Sequence, residues 1–252
     1  MCCFSKPVIS VSATNIFARA GGDGRQFLVY SMSFEARTDL AMILPLPVKT
    51  PAGEKDVQFI DLKDYPEFFS DILSGFPMTS ESFTLGSRST KSVAAAKLEV
   101  VEVGDFEASF VPTVNDFSRL DERFRLPNGV WKDLPQYQNW GFAVFKLKPG
   151  AMRVHPMAFS FLNRDPKTLF FPTVHIHDGI VHPRAKFDHT LYCQPYQDHH
   201  FALGRDWKES SGPASQFMKM NKSKGLLEAD QHCYQRNLNG TLSNRDTVLQ
   251  IG

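Results

Sequence analysis

The chain has 252 residues, enough to bury a sizeable core, and 42% of them are hydrophobic against 22% charged. A formal net charge of +1 gives no electrostatic case for nucleic acid as the main partner, and no apolar run reaches the roughly 18 residues of a membrane span. The opening Met-Cys-Cys-Phe-Ser-Lys-Pro lacks the apolar region of a signal peptide, and the four cysteines show no zinc-knuckle spacing, so free thiols and a cytoplasmic location are expected.

Cys2 comes first. Removal of Met1 would expose it, and an α-amine beside a thiol can act as a self-contained base and nucleophile or as a metal ligand. Val8–Ala20 and Gln26–Ala36 read as strands joined by the flexible loop Gly21-Gly22-Asp23-Gly24. In the second strand Leu28, Tyr30, Met32 and Phe34 share one face while Phe27 and Val29 point the other way, which predicts cover on both sides. Leu40–Leu44 is the next strand, and Pro45 and Pro47 place the following residues at a sheet edge.

The motifs Cys2-Cys3-Phe4, Ile16-Phe17-Ala18, Leu28-Val29-Tyr30 and Met42-Ile43-Leu44-Pro45-Leu46-Pro47-Val48 resemble the amino-terminal pattern of an uncharacterised bacterial protein family. That family pairs an early cysteine with a Leu-Pro-x-Pro segment; the likeness covers about the first fifty residues and implies no activity. The early cysteine is also similar to that of N-terminal-nucleophile hydrolases. That resemblance implies Cys2 as nucleophile with Arg19 and Asp23 as helpers.

Pro66–Leu73 predicts a short helix, because Phe68, Phe69, Ile72 and Leu73 form an apolar stripe and Gly75 ends it. Ser80–Ser92 reads as an exposed loop. Leu98–Val103 and Phe106–Val111 form a second hairpin around Gly104-Asp105. A helix follows to about Arg125, with Phe117, Leu120 and Phe124 at helical spacing. Trp131–Trp140 has no clear period and reads as a lid or packed loop. Gly141–Lys148 and His155–Leu162 are strands, and His155 shares a face with Met157, Phe159 and Phe161.

Pro-Thr-Val-His-Ile-His-Asp-Gly-Ile-Val-His-Pro, residues 172–183, carries the sharpest chemistry. Asp178-Gly179 between β-branched runs predicts a two-residue hairpin turn. In that register His175 and His177 share a face and His182 lies opposite His175, so three imidazoles could converge on one cation with positions left open. Phe187–Cys193 follows as a strand, which makes His189 a further ligand or a buried group behind one. Asp188 would orient a ligand imidazole through its other nitrogen, and His155 is a more distant candidate ligand. All eight histidines fall between His155 and His232, which favours one localised site in the second half. Asp198-His199-His200 leads to a helix expected over Ala214–Met220, and the tail from His232 shows no strong pattern.

The expected fold is α+β and β-rich, with packed antiparallel sheets and short inserted helices in a single domain over 1–252, or subdomains dividing near 130–150. The first functional expectation is a metal-dependent enzyme, hydrolytic or oxidative. Its zinc, copper or iron would be held by His175, His177 and His182, with His189 or His155 in support. The alternatives are a Cys2-dependent amide hydrolase and a non-enzymatic binding or structural protein. A small-molecule or peptide partner is expected; nucleic acid and membrane are not.

Overall fold

The computed structural model describes residues 2–77, 101–103, 106–126, 129–195 and 204–251. The chain is β-rich, and its strands build two large sheets packed face to face. The first sheet has six strands in the order β12-β1-β4-β8-β7-β6: His175–Ile176, Cys2–Phe4, Leu40–Leu46, Gly141–Leu147, Phe106–Val111 and Val101–Val103. The second runs β14-β15-β13-β2-β3-β10-β5: Lys208–Pro213, His232–Ser243, Arg184–Gln194, Ser10–Ala20, Arg25–Ala36, Met157–Leu162 and Val57–Ile60. β9 (Gly150–Arg153) also pairs with β3. β11 (Thr168–Phe171) and β16 (Thr247–Gln250) form a small separate ribbon.

Alternation of side chains explains the layers. Leu28, Tyr30, Met32 and Phe34 of β3 face Met42, Leu44, Phe145 and Phe110 across the main core between the sheets. Phe27 and Val29 on the other face of β3 lie in a separate cluster with Phe68, Phe69 and Ile72 of α1 (Phe68–Ser74), so the strand is covered on both sides as its pattern requires. The outer face of the first sheet, with Ala41, Ile43, Phe142 and Val144, lies under Phe117, Leu120, Phe124 and Val130. The result is two sheets with a thin irregular cover on each outer side.

Several expectations change in detail. The helix expected to Arg125 is two 3-10 turns, Val114–Arg119 and Glu122–Phe124, broken at Leu120, which is extended. Arg125 donates to the Leu120 carbonyl from Nε at 2.9 Å, so the side chain takes the place of a continuing helix. The 214–220 helix is likewise a short 3-10 turn, Ala214–Gln216. Pro45 lies in an interior strand, at a point where the flank toward β1 is open. Its register partner is Phe142 on one flank, and β1 pairs only with Met42 and Ile43 on the other, so its missing N–H interrupts no bond to β1. The sheets are also not purely antiparallel: β13 runs parallel to β2, and β12 parallel to β1. The Ser80–Ser92 loop, the Gly104-Asp105 turn and Asp198-His199-His200 lie outside the described residues.

Candidate functional site: a buried histidine cluster beside the first strand

Residues 172–183 do not form the expected hairpin. His175–Ile176 leaves the turn and pairs in parallel with Cys2–Cys3, His175 opposite Cys2 and Ile176 opposite Cys3. The space between the two arms is held by Asn244, from the end of β15. Its Nδ2 donates to the carbonyls of His175 (2.9 Å) and His182 (2.8 Å), and its Oδ1 accepts from His175 N–H (2.7 Å). A side-chain amide thus does what direct cross-strand bonds would do in a tight hairpin. Asp178 turns inward on its own loop, accepting from Ile180 N–H at 3.0 Å, and Gly179 takes the positive φ of +81° that the turn needs.

That geometry separates the three expected ligands. His182 is 54% exposed and bonds to Asp178 through Nε2 at 2.8 Å. His175 and His177 instead join His189. The His175 ring lies 4.9 Å from His177 and 4.7 Å from His189, centroid to centroid. Phe187 closes over His175 at 4.5 Å, and Phe4 of β1 approaches His177 at 5.6 Å. His189 is buried against the His175 ring. His155 stands apart from this cluster, stacked on Phe106 at 4.3 Å with Nδ1 3.1 Å from the Pro156 carbonyl.

The cluster is apolar in setting and short of partners. His175 is 7% exposed and His189 1%. His175 Nδ1 and His177 Nε2 are 3.1 Å apart, one ring donating and the other accepting. His175 Nε2, both nitrogens of His189 and the nearby Thr14 Oγ1 have no hydrogen-bond partner. Burial pushes the His175 imidazole down to about 2 and those of His177 and His189 to about 4. All three rings are neutral at pH 7.

Asp188, expected to orient an imidazole, lies beside the cluster but bonds to the backbone. Its Oδ2 accepts from Ala13 N–H at 2.7 Å, where β2 bulges and Ala13 takes a φ of +51°. Its Oδ1 lies 3.6 Å from His189 Nδ1, an ion-pair distance too long for a hydrogen bond. Arg19 and Asp23, the helpers expected for Cys2, are engaged elsewhere. Arg19 donates to the carbonyls of Leu226 and Gly225 and pairs with Glu228. Asp23 accepts from Arg25 N–H in the β2–β3 turn. The backbone of Cys2 does meet a histidine in register, a juxtaposition no local motif could show.

The three-histidine metal enzyme is therefore corrected. The His175 ring packs edge-on to His177 and tilted against His189, His182 points to solvent, and among the described residues no group of three His, Cys, Asp or Glu side chains could hold a metal ion. Sequence reasoning missed Phe187, Phe4 and Asn244, which shape the cluster. Alternation along the Phe187–Cys193 strand puts Phe187 and His189 on one face, the one signal that could have found any of them.

No family model and no curated protein matches the chain. Solved structures do. The crystal structure of baculovirus P35 is similar to it with a TM-score of 0.50 at 13% identity, over 96% of this chain and 97% of that one. P35 in the caspase-8/P35 complex gives 0.47 at 13% identity over 95% and 96%, and a mutated baculovirus P35 after caspase cleavage gives 0.47 at 13% over 96% and 100%. Over nearly its whole length, this chain shares its fold with baculovirus P35.

Proposed function

We propose that this chain is a non-enzymatic binding protein whose partner is a cysteine protease of the caspase class. The observation that supports this reading is the whole-length likeness of fold to baculovirus P35, a protein crystallised in complex with caspase-8 and after caspase cleavage. The cluster chemistry agrees with a binding role. Its neutral imidazoles are packed against phenylalanines, and the carboxylate beside them, Asp188, spends its hydrogen bond on Ala13 N–H.

The test is direct. Purified chain is mixed with each of a panel of active caspases, followed by size-exclusion chromatography, peptide-hydrolysis assay and intact mass of both partners. A stoichiometric complex with loss of peptide hydrolysis is expected for at least one protease. No complex, no loss of hydrolysis and no cleavage across the panel would overturn the reading.

A further inference from the structure

β12 is two residues long, and its attachment rests on a parallel pairing with β1, on Asn244 and on the imidazoles packed against it. The contact between His175 Nδ1 and His177 Nε2 needs one proton between two neutral rings. If both rings become imidazolium, two N–H groups face each other across that gap between two positive charges. A proton added to Nε2 of His189 or of His175 finds no acceptor, and one on His189 Nδ1 meets Asp188 Oδ1 only at 3.6 Å. The nearest carboxylate, Asp188, is already committed through its other oxygen to Ala13 N–H.

We propose that β12 is an acid-sensitive latch: protonation of the His175–His177–His189 cluster releases His175–Ile176 from β1 while the two main sheets stay closed. The other charges facing the cluster are few. Asp178 favours protonation of His177, but it is exposed and paired with exposed His182. Asp188 favours protonation of His177 and His189. Asp246 accepts from the Thr173 and Val174 N–H groups just ahead of β12. Burial raises its carboxyl above the ordinary range, so it binds a proton more readily in the fold and acts in the opposite sense.

The sign follows from linkage. Imidazoles held well below the ordinary 6.5 bind protons more readily once the segment opens. The stability they confer is complete above about pH 6.5 and is lost as pH falls toward 4. One such imidazole shifted to about 4 raises the opening equilibrium about 20-fold between pH 7 and pH 5.

Amide hydrogen exchange at about pH 7 and about pH 5, corrected for intrinsic rates, tests this on the unaltered chain. The amides of Val8, which donates to the His177 carbonyl, and Ile176 are expected to open at least about 20-fold more at the lower pH, with the β4–β8 ladder unchanged. Equal opening at both values overturns the proposal, as does a loss of protection spread evenly over both sheets. His189→Phe, which keeps a buried ring without a titrating nitrogen, is expected to reduce the pH dependence. Should that variant fail to fold, NMR titration of the imidazoles in the parent decides: any cluster ring titrating near 6.5 while Ile176 stays protected refutes the latch.

Discussion

Replacing Asn244 by alanine removes three hydrogen bonds at one stroke. His175 N–H loses its acceptor, and the carbonyls of His175 and His182 lose their donor. A net hydrogen bond contributes about 1 kcal/mol, and a buried group left unpaired costs about 1–3 kcal/mol. The two groups on His175 are partly buried, whereas the His182 carbonyl is reached by water. Discounting the latter, the loss should be about 2 kcal/mol, about a 30-fold shift in the folding equilibrium. Equilibrium urea denaturation of parent and variant at pH 7 measures it. Asn244→Asp keeps the acceptor for His175 N–H but not the donor, and should fall between the two. A loss below about 0.5 kcal/mol for the alanine variant would show that Asn244 does not hold the turn and β12 together.

Gly75 ends α1 with the Phe217 ring so close that an added Cβ would lie 2.6 Å from its Cε1. Gly75→Ala should therefore cost about 1–3 kcal/mol, seen as a lower melting temperature; an unchanged melt would mean that Phe217 moves freely. Arg19→Met leaves the carbonyls of Gly225 and Leu226 without their guanidinium donor and should cost about 2–4 kcal/mol, read by urea denaturation. Equal stability of that variant would show that water serves those carbonyls equally well. Burial raises the thiols of both Cys193 and Cys233 above their ordinary range. Neither should react with iodoacetamide at pH 8 in the folded chain, and peptide mass spectrometry showing labelling at the rate of a free thiol would contradict their burial.

Much of the architecture was legible because it rests on alternation. β3 declares both of its faces through Leu28, Tyr30 and Met32 against Phe27 and Val29, and α1 declares its stripe through Phe68, Phe69 and Ile72. β15 was not legible. Its outer half, from Asn237 to Ser243, is largely exposed and polar, so burial leaves little trace in its composition. The candidate site failed for a different reason. Asp178-Gly179 is a sound local turn signal, but a local rule assumes that the two arms pair with each other. Here β1 offers His175 and Ile176 another strand, and Asn244 fills the gap. Partners separated by some 170 residues in the chain override a preference set by two.

That long-range pairing also orders the steps of folding. β1 (Cys2–Phe4) sits inside a sheet between β4 and β12, and β12 comes only at residue 175. β2 likewise waits for its parallel neighbour β13. β1 thus acquires both of its neighbours only after the long intervening chain has been made, and vectorial synthesis gives it little head start. A chain wired this way pays a large loop-closure entropy before its sheets close and should fold slowly for its size. During that interval, apolar strands such as β3 and β4 are open to pairing with other chains.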